Sequence, residues 1–313
     1  MKAILFIALL GLSLCSHHHF RGKHSSAGGF ITEQSLENQK QESSFEMYSF
    51  EEHPFKNYSE SDIKSLLGLS RLSLKDTSAV AYNMEATSDL PESFDSRTQW
   101  PDCIHAIRNQ GHCGSCWAHA ASEVLSDRFC IASKGQINVA LSPQDMVSCD
   151  YFDHGCNGGI LTASWVYLRF FGIVSDTCKP YSSAEGKVAS CSLFTKQCAN
   201  NGEVYKKYHA KNLYWLTSIE KIKRSLYESG PVETGFSVFS DFLNYKSGIY
   251  RKSASANFLG GHAVKIVGWG KEDDTEYWIV ANSWSSNWGE DGYFRIAFRE
   301  CGIENCIAGD PQL

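Results

Sequence analysis

Three short stretches carry residues able to do covalent chemistry: Gln110-Gly-His-Cys113-Gly-Ser-Cys116-Trp117, Gly261-His262-Ala263 and Ala281-Asn282-Ser283-Trp284. Together they supply a thiol nucleophile, an imidazole base and an amide to orient that base, the set needed to cleave a peptide bond through an acyl-enzyme. An ordinary cysteine is mostly thiol at neutral pH, so a reactive one sits beside a cation or at a helix N-terminus. Ser115 is a natural N-cap, which puts Cys116 in the first turn of a helix, where the partial positive charge favours thiolate. The backbone N–H of Cys116 is then free to face a substrate. Gln110, in a glycine-bounded loop, offers a side-chain N–H from the other side, and two such donors make an oxyanion hole.

Taken alone, Gln110 reads as a surface amide and His262 as a structural histidine. Their company changes that. His262 follows Gly260-Gly261 and opens the apolar run Ala263-Val-Lys-Ile-Val267, where a polar ring has no packing reason and the paired glycines let another chain approach the backbone. Asn282 closes the strand-like Tyr277-Trp-Ile-Val-Ala281 and is placed to accept from the imidazole N–H, fixing its tautomer, with Trp284 shielding that bond from water.

The elements that must position these residues follow from periodicity. Trp117, Ala121, Val124, Leu125 and Phe129 recur at helical spacing and predict a helix over 116–132; Ser142-Pro143 opens a second, and a third spans about 161–171, ending before Gly172. After Gly202 the texture turns to strands at 233–238, 263–269, 277–281 and 292–297, interrupted by one helix at about 219–228. The body is therefore α+β: a helical half carrying Cys116 and a β-rich half carrying His262 and Asn282, with a cleft between them where the site forms.

The N-terminal third has a different character. Met1-Lys2 and the apolar run to Ser16 have the length and flanks of a secretory signal over 1–16, too short to span a bilayer, and no later run reaches the roughly 20 apolar residues of a spanning helix. Residues 17 to about 45 are polar, reading as a mobile segment without a core of its own, and His17-His18-His19 is incidental. From Phe45 to Leu74, Phe55 and Tyr58 precede a helix-like stretch with Ile63, Leu66, Leu67 and Leu69, capped by Ser59 or Ser61. This looks like a small pro-region over 17–89, closed by a small, polar processing linker at 75–89, and the glycosylation sequon Asn57-Tyr-Ser59 would leave with it. The Cys-containing body runs from Leu90 to residue 313.

Twelve cysteines are present, and with Cys15 lost in the signal an odd number remains, which leaves a free reactive thiol in an oxidising compartment. Cys113-Gly-Ser-Cys116 is also a CxxC, but Cys149 and Cys156 are too widely spaced to complete a zinc site, so neither a metal nor a cofactor is implied. A net charge of −6 and a pI near 6.0 give no basic stripe for nucleic acid, and 42% hydrophobic content is enough for a sizeable core.

The order Cys, His, Asn and the surrounding motifs resemble the papain-like cysteine proteases, and within them cathepsin B. The likeness is carried by Leu90-Pro-Glu-Ser-Phe-Asp-Ser-Arg, the Gln110–Ala118 stretch, Gly155-Cys-Asn-Gly-Gly159, Gly230-Pro-Val-Glu, Tyr245-Lys-Ser-Gly-Ile-Tyr250, Gly260-Gly-His-Ala and Ala281-Asn-Ser-Trp284. It implies a papain-like two-domain fold and a short inhibitory pro-region. Cys116 is then the nucleophile, His262 base and later acid, Asn282 the orienter and Gln110 the oxyanion donor. It further implies that Gly158 and Gly159 bind the substrate backbone, that Gly235 and Gly261 belong to the same site, and that Trp284 lines the primed side. By the same likeness Cys103 pairs with Cys130, Cys113 with Cys156, Cys149 with Cys191 and Cys178 with Cys198, with exchange among the last four left open.

Three departures bear on specificity. Cathepsin B caps its cleft with a loop holding two adjacent histidines, whereas Lys179 to Cys198 is short and has none, so an open cleft suited to endopeptidase cleavage is expected. The acidic residue at the floor of the cathepsin B S2 pocket falls on Cys306, which favours hydrophobic P2 side chains; Cys306 either stays free or pairs with Cys301. His119 stands where an aromatic or small apolar residue is usual, either as a second titrating group near the thiolate or as a packed helix-face histidine. A ligase would use the same residues with an amine outcompeting water. A binding-only member would show a replaced nucleophile or base, and an adhesive scaffold would leave Gln110, His262 and Asn282 unexplained. The expected partners are peptide and protein substrates and the chain's own pro-region, with no nucleic acid or membrane; the expected protein is a monomer of the secretory pathway, in a lysosome or acidic digestive vacuole or outside the cell.

Overall fold

The structure, a computed structural model, describes residues 29–71, 73, 90–191, 196–199 and 202–313. The expected signal, the His17-His18-His19 run and the 75–89 linker lie outside the described residues. The N-terminal part contributes α1 (Glu33–Lys40), β1 (Glu46–Met47) and α2 (Glu60–Ser65). Both helices open on reciprocal capping boxes, Thr32 with Ser35 and Ser59 with Asp62, so two backbone donors are satisfied locally at each start. The expectation of a coreless mobile segment up to residue 45 is corrected by α1: Ile31 and Leu36 are buried in the main core. A helix so polar shows no core in its own sequence because the body supplies the other side of its contact. Leu67 and Leu69, expected on the second helix, lie beyond α2 in extended chain drawn out by backbone bonds described below.

The body begins with β2 (Phe94–Asp95) and α3 (Ser96–Gln99), followed by α4 (Cys116–Ala132), α5 (Pro143–Cys149) and α6 (Leu161–Phe170). Fifteen of the seventeen residues of α4 are buried, so this helix is the axis of the helical half rather than an amphipathic surface helix. Ser142 caps α5 by accepting from the Asp145 N–H at 3.0 Å, with Pro143 in the first turn.

The β-rich half is built from β3 (Ala210–Leu216), α7 (Ile219–Ser229), β4 (Val232–Phe239), β5 (Tyr245–Ser247), β6 (Ile249–Tyr250), β7 (Phe258–Glu272), β8 (Thr275–Ala281), β9 (Tyr293–Ala297) and β10 (Cys306–Pro311). Its main sheet has eight strands in the order β3-β10-β4-β7-β8-β9-β6, with β2 added on β7, while β1 pairs with β5 and so fastens the N-terminal part to the body. The register opposes Gly235 to Ala263, Phe236 to His262 and Lys265 to Ala281, which brings His262 and the end of β8 into one neighbourhood. β3 and β10 escape the sequence pattern: β10 contains Gly309 and Pro311, and it is held as a strand by partners on both sides.

Two apolar clusters form the core. One packs Trp117, Val124, Phe129 and Trp165 in the helical half; the other packs Phe236, Phe242, Trp269, Trp278, Trp288 and Phe294 in the β-rich half. Each such aromatic contributes roughly 1.5–3 kcal/mol by burial. Buried charges join the halves: Lys265 of β7 lies 2.7 Å from Asp127 and 3.4 Å from Glu123, both on α4. Burial opposes the Lys265 ammonium, but the two carboxylates prevail and raise its pKa.

Four disulfides, Cys103–Cys130, Cys113–Cys156, Cys149–Cys191 and Cys178–Cys198, tie the helical half, and Cys116, Cys301 and Cys306 are free thiols. Cys113 of the CxxC is thus committed to a disulfide.

Candidate active site

Cys116 is the first residue of α4, and its sulfur faces the N–H groups of Ala263, Gly68 and Trp117. Ser115 stands at the N-cap but makes no side-chain cap, since its hydroxyl turns to Tyr181 at 2.8 Å. His262 Nε2 donates to Asn282 Oδ1 at 2.8 Å, and that oxygen also accepts from the Ser283 N–H at 2.8 Å, so it is an acceptor and the imidazole proton belongs on Nε2. Nδ1 is buried and makes no hydrogen bond in the neutral ring, and the Leu66 carbonyl stands by to accept from the ring once it is protonated. Trp284 packs on the ring at a centroid distance of 4.7 Å.

Both reactive groups are neutral here, contrary to the thiolate expected from the helix terminus. Burial pushes the Cys116 thiol up to about 11 against the three N–H contacts, and burial brings His262 down to about 4 against the Asn282 bond and the Leu66 carbonyl. The reason is the chain lying on them. Residues 66–70 run through the cleft: Gln110 Nε2 donates to Leu66 O at 3.3 Å, the Gly159 N–H to Gly68 O at 2.9 Å, the Leu69 N–H to Gly261 O at 3.0 Å and the Ser70 N–H to Gly159 O at 2.9 Å. The sulfur meets the Gly68 N–H of this segment. The fit is close: a Cβ on Gly159 would lie 2.6 Å from the Trp117 ring, and Gly158, at φ +105°, has a backbone that side-chain-bearing residues rarely adopt.

Gln110 is fully buried, with its Nε2 also donating to Cys113 O at 2.9 Å and its Oε1 accepting from Ser283 Oγ at 2.7 Å. The Ser283 contact was not visible in the sequence, although adjacency to Asn282 is a usable signal. The Leu69 side chain sits against Gly235 and is buried beside Leu161, Ala263 and Ile307. Cys306, expected at the floor of this pocket, is fully buried, with its sulfur facing Ile303 O at 3.7 Å among the apolar residues of the β-rich half. Asn305 instead reaches the N-terminal segment, donating to Ser73 O at 2.9 Å. A carboxyl does lie on β4: Glu233, fully buried, accepts from Trp165 Nε1 at 2.6 Å, and burial raises its pKa well above the usual carboxylate range. His119 is buried with its Nδ1 on Ser115 O at 3.0 Å, and burial brings its pKa down to about 3, so it is a packed neutral histidine.

Residues 90–309 match the family described as papain family cysteine protease. The chain belongs to that family. It is 43% identical over 251 residues to cathepsin B-like cysteine proteinase 4 of Caenorhabditis elegans, covering 70% of this chain and 75% of the relative. It is 39% identical over 259 residues to cathepsin B-like CP3 of Giardia intestinalis, covering 82% and 86%. Among solved structures, procathepsin B S9 from Trypanosoma congolense superposes with a TM-score of 0.81 at 32% identity, covering 91% of this chain and 99% of that one. The protein is therefore a cathepsin B-like cysteine peptidase with the two-domain papain fold. A second proenzyme, digestive procathepsin L2 from Tenebrio molitor larval midgut, superposes with a TM-score of 0.72 at 26% identity, covering 90% of this chain and 88% of that one. Among the described residues of this cysteine protease, no helix is long and apolar enough to cross a membrane.

Proposed function

We propose that the processed protein is a cysteine endopeptidase using Cys116, His262, Asn282 and Gln110. His262 Nδ1 takes the thiol proton and the thiolate attacks the scissile carbonyl; the oxyanion is held by Gln110 Nε2 and the Cys116 N–H. The imidazolium, oriented through Nε2 by Asn282, protonates the departing amine, and water then cleaves the thioester with His262 as base. Residues 1–16 are a secretory signal, 17–89 the inhibitory pro-region and 90–313 the peptidase. Substrate backbone binds along Gly158, Gly159 and Gly261, and Trp284 lines the primed side. The protein works as a monomer in a lysosome, an acidic vacuole or outside the cell.

The observation that carries this reading is the path of residues 66–70, which lays a carbonyl on Gln110, an N–H on Cys116 and a leucine beside Gly235. Leu69 supports a preference for hydrophobic P2, and ionising Glu233 for a basic P2 would work against its burial. The absence of histidine between Lys179 and Cys198 supports internal cleavage over dipeptide removal. The test is turnover of fluorogenic peptides with P2 Phe or P2 Arg, blocked at the C-terminus, by the processed enzyme and its Cys116→Ala variant. Turnover of P2 Phe alone, lost in the variant, is expected. Comparable turnover of P2 Arg overturns the pocket reading, and cleavage only of peptides with a free C-terminal carboxylate overturns the endopeptidase reading.

A further inference from the structure

Gln110 and Cys116 each supply one oxyanion donor, and the segment 111–115 sets the spacing between them. Tyr181 packs on that segment. Its hydroxyl donates to Gln110 O at 2.8 Å and lies 2.8 Å from Ser115 Oγ. The single hydroxyl proton is committed to the carbonyl, so Ser115 is the donor in the second contact, and one oxygen atom ties both ends of the segment. The chain after Tyr181 holds the middle. The His112 N–H donates to Ala184 O at 2.7 Å, and Gly111, at φ +61°, passes so near that a Cβ would lie 2.4 Å from the Ala184 carbonyl oxygen. His119, one turn into α4, stands edge-on to the Tyr181 ring at 4.6 Å and 77°. Burial keeps this histidine neutral, so no charge in it changes across the acid to neutral range.

We propose that Tyr181 is the positioning residue of the oxyanion hole: its hydroxyl fixes the separation of Gln110 from the Cys116 N–H without touching the substrate. The proposal rests on the reading of those two groups as the oxyanion donors. Because donors aimed at the tetrahedral oxygen matter most in the transition state, their misplacement lowers kcat and leaves KM nearly alone. Tyr181→Phe keeps the ring against His119 and removes only the tie. Ser115→Ala removes one arm of it.

The test compares processed wild type, Tyr181→Phe, Ser115→Ala, Gln110→Ala and the Tyr181→Phe/Gln110→Ala double variant on one P2 Phe peptide. Affinity for a peptide aldehyde, whose hemithioacetal with Cys116 puts an oxygen in the hole, is measured alongside. Tyr181→Phe should lower kcat about tenfold with KM within about twofold, and weaken the aldehyde by the same factor. Ser115→Ala should do so about threefold, and Gln110→Ala about a hundredfold. The double variant should be no slower than Gln110→Ala alone, since Tyr181 acts through that side chain. Independent, multiplying effects, a rise in KM alone, or unchanged kcat in both Tyr181→Phe and Ser115→Ala would overturn the proposal. Unchanged kcat in Gln110→Ala overturns the oxyanion assignment first, and the proposal with it. Should Tyr181→Phe not fold, Ser115→Ala decides by the same split between kcat and KM.

Discussion

Latency of the intact chain should hinge on Gly68. A Cβ at this position would lie 2.0 Å from Gly114 O and 2.7 Å from Gly114 Cα, against an ordinary contact of 3.4 Å or more. Gly114 cannot retreat easily, because its N–H is bonded to Cys156 O at 2.9 Å and its neighbour Cys113 is joined to Cys156. Gly68→Ala therefore lifts residues 66–70 by more than about 1 Å, enough to break bonds that now stand at 2.9–3.0 Å. Losing two or three of them, at about 1 kcal/mol each, makes local opening over Cys116 easier by about 2–3 kcal/mol, or roughly 30- to 140-fold. Opening is read by alkylation of Cys116 in the unprocessed chain at neutral pH, with electrophoresis confirming that the chain stays whole. The variant should alkylate faster by that factor while its melting temperature moves little. Alkylation at the wild-type rate would refute the argument that backbone contact at Gly68 holds the cleft shut.

The remaining expectations are best measured in the Cys116→Ala form, which on the proposed mechanism does not digest itself. Lys265→Ala removes the cation between Asp127 and Glu123, leaving them His105 at 2.7 Å and Arg108 at 4.0 Å, and should cost about 3 kcal/mol in denaturant unfolding; a loss under about 1 kcal/mol contradicts the clamp between the halves. His53 of the N-terminal segment is buried, donates to Asn244 Oδ1 at 3.0 Å and accepts from the Phe55 N–H at 3.0 Å, and burial brings its pKa down to about 4. A depressed base contributes stability that is present above the free value of about 6.5 and is lost as pH falls toward 4, about 3 kcal/mol in all. The wild type should therefore lose that much more than His53→Phe between pH 7 and pH 4, and parallel curves would sink the idea. Glu233 has the opposite form: an acid whose pKa is raised by burial costs stability as pH rises above its unfolded value. Glu233→Gln should thus raise the melting temperature at pH 7 and much less at pH 4, and an equal change at both pH values would show that Glu233 is ionised.

The sequence determined what depends on side-chain type and local spacing. The helix over Cys116–Ala132 is legible because its apolar residues recur at helical intervals, and α5 because Ser142-Pro143 is a start signal that needs no distant partner. The thiol, imidazole and amides are nameable because their chemistry is a property of the residue. Tertiary structure decided what depends on distant neighbours. α1 is a polar helix whose one buried residue, Leu36, joins with Ile31 just before it a core cluster shared with the body, and β10 is a strand because β3 and β4 flank it. The surroundings of Cys306 follow from strand register, invisible in a list of residues, which opposes it to Leu216 of β3 and Thr234 of β4. Ser283 Oγ on Gln110 and Tyr181 across residues 111–115 join residues far apart in the chain. The protonation of Cys116 and His262 was likewise beyond the sequence, since it follows from exclusion of water by residues 66–70, and desolvation belongs to an arrangement of the whole chain rather than to any one residue.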